Sequence, residues 1–380
     1  MDVRLIKNET KVFNRFFRKT ILNAVFKTAI LLLVFNSTYS IVHGQAPGIQ
    51  TEKRISSSMA GEGNPWEVLT EDLEKVLVAL HKGSTVSEIA SAREIEEDKL
   101  ICQLESLVKA NILIYKNNRY FPDILVATEE ETGTVYNRAG LSADKISKTV
   151  QSNWNIIRTA YDKLNVSQTY SLNEQGFMLV GSRILDTGVL RSLANSEELL
   201  LPAPVRPTPS FPNSKYYLWI EENSPDKFGF GQKDIELKFD NWYAVNFGSD
   251  NESRLKLEEK AVEFIESGEY ENPEHFAQLI GAPFLNKEDS GLWENLVMEI
   301  SNKCLEELLK EKNEIRELYS SLMTSQYSQN TFDDFYCWYY HYVYPLAIKD
   351  LIENKYFQMP ENKHTTIILY NEQGNGVHFE

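Results

Sequence analysis

Cysteine is scarce in this chain of 380 residues. Cys102, Cys304 and Cys337 stand too far apart to write a disulfide framework, which excludes a small stapled fold and leaves buried free thiols as the expectation. Local signatures of chemistry are missing as well. No His-Glu-x-x-His or Cys-x-x-Cys pair supplies a zinc framework, and no Gly-x-Ser-x-Gly turn presents a nucleophile. Gly229-Phe230-Gly231 lacks the strand-to-helix context and the lysine-threonine pair of a phosphate loop, so no cofactor and no metal are expected. Bases are in deficit too: 39 Lys and Arg face 55 Asp and Glu, a formal charge of −16. A polyanion is repelled by nucleic acid and by anionic lipid unless a local basic patch overrides the field.

What is present is a foldable composition with 42% hydrophobic and 12% aromatic residues, long enough for two domains once a leader is set aside. The leader is read over residues 1–44. Seven bases from Arg4 to Lys27 precede the apolar run Thr28 to Phe35 and the stretch Val42-His43-Gly44-Gln45. Bases held on the cytoplasmic side, a short apolar helix and a small residue at the cleavage point make an export signal. The run falls short of the roughly 20 residues of a membrane span, so only an uncleaved leader stretched over Ile21 to Val42 would tie the chain to a membrane. Export puts residues 45–380 in the periplasm or outside the cell, with 32 bases against 53 acids; a start at Met59 would leave them in the cytoplasm.

Residues 45–65, rich in Gly, Ser, Pro and charge, read as a flexible lead-in. Beyond Thr70, Leu73, Val76, Leu77 and Leu80 recur at helical spacing as far as Gly83. Thr85-Val86-Ser87-Glu88 is a capping box for a short second helix, and Leu100, Ile101, Leu104, Leu107 and Val108 mark a third. Two apolar strands then flank Asn117-Asn118 as a hairpin. Helix, short helix, helix and hairpin over residues 66–121 resemble the winged-helix family of bacterial transcription regulators, carried by Thr85 to Ala90, Leu100 to Val108 and the wing Lys116 to Arg119. The resemblance implies a third helix that enters the major groove, with Lys99, Lys116 and Arg119 as nucleic-acid contacts. Here the leading residues of that helix are Glu96, Glu97 and Asp98, which phosphate repels, and the module carries ten acids against seven bases.

Residues 122–165 read as a connecting helix with Ile146, Val150, Trp154, Ile157 and Tyr161 inward. Residues 166–380 form a mixed domain: strands at Phe177 to Val180, Tyr216 to Ile220, Ile235 to Phe239 and Trp242 to Phe247, a stiff proline segment from Pro202 to Pro212, and helices over 253–357. A hairpin of Thr365 to Tyr370 with Gly376 to Phe379 closes the chain, and Leu351 to Phe357 weakly echoes Leu107 to Leu113. The fold class is therefore α+β, an N-terminal winged-helix module followed by a larger domain with a small antiparallel sheet and a helical C-terminal half.

Few residues bear chemistry. Cys337 and His341 share a helix face at i, i+4, and Asp333 and Asp334 sit where they complement a helix dipole. The densest feature is Phe335 to Tyr344, which no single core face of a helix accommodates, so part of it must reach a second surface. That surface is either another domain, which core and interdomain packing would supply, or a subunit or ligand cleft, for which Trp338, Tyr339, Tyr340 and Tyr342 are the expected ligand or partner surface. The first reading is an exported, non-catalytic interaction or ligand-binding protein that uses the module as a scaffold, with an unidentified protein or small molecule as partner and a homodimer through the long helices. The alternative is a DNA-binding regulator with a C-terminal ligand sensor. N-terminal sequencing of the natural protein is expected to read Gln45 first, and a natural protein beginning at Met59 would remove the export reading.

Overall fold

The computed structural model describes residues 53–225, 235–238, 241–248, 251–268, 271–328, 331–361 and 364–370. The leader, the first residues of the lead-in, Gly229-Phe230-Gly231 and the Gly376 to Phe379 half of the closing hairpin lie outside them. No helix among the described residues is long and apolar enough to cross a membrane. The lead-in expectation fails at strand β1 (Ile55–Glu62), which pairs in unbroken antiparallel register with Lys215–Glu222. Ser, Ala and Gly hide the alternation there, because the strand gains its order from its partner rather than from its own apolar content.

Capping side chains set the helix starts. Thr70 accepts the amide of Leu73 at the head of α1 (Glu71–His81), and Thr85 and Glu88 exchange bonds at the head of α2 (Val86–Ala92). Helix α3 (Glu97–Lys109) leads into the hairpin β2 (Leu113–Lys116) and β3 (Arg119–Pro122), turned by Asn117 and Asn118 at φ of 53° and 59°. Strand β4 (Leu125–Ala127) follows, then α4 (Glu129–Ser152), opened by a Thr128–Glu131 capping box, and α5 (Trp154–Tyr161).

Phe177 to Val180, expected as a strand, is helical. Ser171 and Glu174 cap α6 (Leu172–Gly176), which runs on through a π-helical segment, Phe177–Gly188, into α7 (Val189–Ser196). A fully buried apolar run has no polar face to reveal its period, and the capping box upstream was the discriminating signal. The segment is wedged in place by glycine. A Cβ on Gly188 would stand 2.7 Å from the Arg183 carbonyl oxygen and 2.8 Å from Val297 Cγ1.

Strand β5 (Lys215–Glu222) lies between β1 and β4, antiparallel to the first and parallel to the second. Its alternation divides the interior: Tyr216, Leu218 and Ile220 join the core of the three-helix module, and Tyr217 and Trp219 join the main core. The module boundary read at residue 121 is thus crossed by its own core, which borrows three side chains from a strand about 100 residues downstream. The proline segment bends back along β5, with the Arg206 amide on the Ser214 carbonyl.

A second sheet has the order β6 (Ile235–Lys238), β7 (Trp242–Gly248), β9 (His364–Tyr370), β8 (Phe284–Leu285). Thr365 to Tyr370 pairs with β7 and β8. Helices α8 (Asn251–Ser267) and α9 (Pro273–Ile280) cover one face around Trp242 and Phe276; Val245, Phe247 and Ile367 on the other face meet the main core. The amphipathic pattern from Leu292 to Leu322, within the helices expected over 253–357, is two helices, α10 (Lys287–Lys310) and α11 (Lys312–Ser321). Helix α12 (Phe332–Glu353) packs against α4, the π segment and β5. These long helices meet one another inside one chain.

Gly188→Ala is expected to cost about 1–3 kcal/mol through overpacking. The check is urea denaturation: the midpoint falls with the slope unchanged, and an unmoved midpoint would contradict the close approach.

Candidate functional site

Trp338, Tyr339, Tyr340 and Tyr342, expected at a surface, are all interior, at 0–1% exposure. The second surface that the run requires is met by the chain itself, because α12 packs against α4, the π segment and β5, and a helix apolar all round is stable only when enclosed. Each polar tip is bonded internally. Trp338 Nε1 donates to Glu221 Oε2 at 3.0 Å and the Tyr342 hydroxyl donates to the same oxygen. The Tyr339 hydroxyl lies 2.6 Å from Ser142 Oγ, and Tyr340 donates to the Leu185 carbonyl of the π segment. Ring stacking along the helix, such as Trp338 on Tyr342 with centroids 5.4 Å apart, fills the space between.

The charged groups around α12 are likewise paired. Arg206 Nη2 reaches Asp334 Oδ2 at 2.8 Å with both side chains buried and also donates to the Asp123 carbonyl, and Nη1 donates to the Tyr216 carbonyl. Asp334 Oδ1 takes the Leu218 amide at 2.9 Å. Burial pushes the Asp334 carboxyl up to about 7, against the downward pull of Arg206 and that amide. Its neighbour Asp333 binds the Leu201 amide, so the pair is fixed by backbone and arginine rather than arranged as acid and base. Glu311 collects Arg138 at 2.7 Å, Lys145 at 2.8 Å and the Ser142 hydroxyl.

Thiol chemistry at Cys337 is quenched. The sulfur is buried, and burial raises its pKa well above the ordinary thiol range. His341 Nδ1 stands 3.8 Å from that sulfur but 2.7 Å from the Cys337 carbonyl oxygen. A carbonyl only accepts, so Nδ1 carries its hydrogen and has no lone pair for the thiol proton. Among the described residues no group of three or more His, Cys, Asp and Glu is gathered for a metal ion. A shallow groove of about 440 Å³ between α5 and α10, lined by Ile156, Ala160, Leu296, Lys163 and Glu299, gathers no convergent nucleophile or base.

Outward-facing chemistry gathers on the three-helix module. Lys99, Lys116 and Arg119 are all exposed, on α3 and on the hairpin, but Arg119 is already engaged. Its Nη2 donates to the Gly83 carbonyl at 2.9 Å and its guanidinium lies over Phe121 at 5.5 Å, so it ties the hairpin to the end of α1. Beside it Tyr115 and Tyr120 meet across the hairpin with tilted rings, centroids 4.7 Å apart; Tyr115 is 57% exposed and Tyr120 is half-buried. Sequence reading took both tyrosines as strand residues and missed the pair; their cross-strand register about Asn117-Asn118 was the available signal. Glu96 at the N-cap of α3, and Glu97, Asp98, Lys99, Glu105 and Lys109 on it, all face outward, four acids to two bases.

Below the hairpin Phe121 stacks on Tyr327, whose hydroxyl meets His81 Nδ1 at 2.5 Å. His81 Nε2 lies 3.2 Å from Glu131 Oε2, and Glu131 also accepts the amides of Thr128 and Met323. This relay joins α1, α4 and the turn after α11. Burial tends to raise the Glu131 carboxyl, but His81 and the two amides together hold it down to about 2.

No protein-family model, no curated protein and no solved structure matches this chain.

A carboxyl held below its unfolded value contributes stability that is complete above about pH 4.5 and is lost as pH falls toward 2. Glu131→Gln is therefore expected to be less stable than the parent at pH 7, with the gap closing between about pH 4.5 and 2 in acid titrations of urea stability. A gap that stays constant across that window would show the carboxylate has no part in the relay.

Proposed function

We propose that this protein is an exported, non-catalytic interaction protein whose N-terminal module, resembling a winged helix, serves as a scaffold for contact with another protein. The observation that carries this reading is the outward Tyr115–Tyr120 pair on the hairpin. An exposed tyrosine braced by a half-buried one that is itself packed on the module core supplies contact area at low side-chain entropy cost, as interface anchors do. The charges beside them support a protein partner over nucleic acid. Arg119 is drawn onto the Gly83 carbonyl, and the outward face of α3 is acidic where a groove-reading helix would meet phosphate. Support for a non-catalytic role comes from the interior, where Asp334, Glu221, Trp338, Tyr339, Tyr340 and Tyr342 are held by internal hydrogen bonds and the Cys337 thiol is buried.

Export enters the proposal through the leader, and it agrees with the net negative charge left on residues 45–380. The regulator alternative makes the opposite demand on the same residues. Titration of duplex DNA from about 50 to 200 mM salt is expected to show no salt-sensitive binding, and Lys99→Ala, Lys116→Ala and Arg119→Ala are expected to change nothing. Binding that weakens steeply with salt and is lost in those variants would replace the scaffold reading with the regulator.

A further inference from the structure

Strand β1 is an edge, and among the described residues nothing pairs with its outer side. Edge strands offer a row of unpaired amides and carbonyls, and proteins ordinarily blunt them with lysine, proline, a bulge or a covering loop. Within Ile55–Glu62 there is no lysine, proline or bulge, and its eight residues hold an unbroken register with β5; no loop among the described residues pairs along it. The lysine just before the strand is engaged by the chain's own carboxylates, with the half-exposed Lys53 Nζ 3.0 Å from Glu129 and 3.7 Å from the buried Glu222. Opposite charges stand at the two ends of the edge, Arg54 just before it and Glu62 at its last position, both exposed. Trp66 stands beside it, 40% exposed, its indole N–H held 3.2 Å from Ser57 Oγ.

We propose that this edge pairs antiparallel with the same edge of a second copy, joining two three-stranded sheets into one of six strands. A second copy is the occupant because the edge is complementary in charge to itself when reversed. With the twofold axis perpendicular to the sheet, each face continues into the same face of the partner. Opposed residues must then share a facing, which along a strand restricts their numbers to an even sum. The register centred on Ser58 meets that condition and sets Arg54 against Glu62 twice, once at each end. It also places Ser56 opposite Ala60, and each Ser58 opposite its own counterpart. The two copies of Trp66 flank the new pairing as aromatic anchors. A shift of one residue would turn the module of one copy to the face that holds the helical body of the other, so geometry excludes the odd registers and charge selects among the even ones.

The test uses the natural chain with Cys102→Ser, since that exposed thiol could otherwise cross-link on its own. Sedimentation is expected to give a concentration-dependent dimer. Ser58→Cys is expected to yield a disulfide-linked dimer on oxidation, because residues directly opposed in an antiparallel pair have Cα atoms roughly 4.5–5.5 Å apart, within disulfide reach. Arg54→Glu alone and Glu62→Arg alone are each expected to weaken the dimer about tenfold, and the double exchange to restore it. A monomer at every concentration would overturn the proposal. So would a dimer indifferent to both charge reversals, or a Ser58→Cys thiol that links only to a different protein.

Discussion

Aromatic side chains run around the whole circumference of helix α12, and they impose the condition that this helix be enclosed on all sides. Enclosure is what the other elements supply: α4 on one flank, the π segment on another, β5 on a third. Burying a large apolar side chain is worth about 1.5–3 kcal/mol, so a run such as Phe335 to Tyr344 drives assembly strongly. It also brings hydroxyls and an indole into a dry interior, where each one left unbonded would be costly. Glu221, Ser142 and the Leu185 carbonyl meet that need for Trp338, Tyr342, Tyr339 and Tyr340.

The same condition explains how the N-terminal module is held. Asp334, at the start of α12, binds the Leu218 amide in the middle of β5 and the side chain of Arg206. Arg206 in turn holds the carbonyls of Tyr216 and Asp123, the second of which lies just past the hairpin. One buried ion pair therefore fixes the central strand, the proline segment and the exit of the module against the enclosed helix. A pair of this kind is seldom a large net gain in stability, because desolvation offsets attraction, but removing one partner leaves a buried charge uncompensated. Its contribution is positional: it determines where the sheet sits and hence which faces of the module remain outside.

Much of the module was legible from sequence because its signals are local. Thr70 and Thr85 before helical runs, and Asn117-Asn118 between two apolar pairs, each act within four residues. The middle of the chain was less so. Phe177 to Val180 is apolar on every side and gives no period, and Ile55–Glu62 is a strand only because β5 lies beside it. The aromatic run was legible only in part, for a related reason. An aromatic run that exceeds one helix face implies a second contact surface, but sequence does not say whether that surface belongs to a partner or to the same chain. Conversely, Tyr115 and Tyr120 are unremarkable as letters and become a feature only when the hairpin register brings their rings together.

The enclosure of α12 by its own chain is most directly tested by hydrogen exchange resolved to single amides. If the helix is core on every side, the amides from Tyr336 to Tyr344 exchange only through global unfolding, with a free energy equal to that measured by urea denaturation. Exchange of those amides through a local opening well below the global value would contradict the account, and would return the aromatic run to a surface that opens to a ligand.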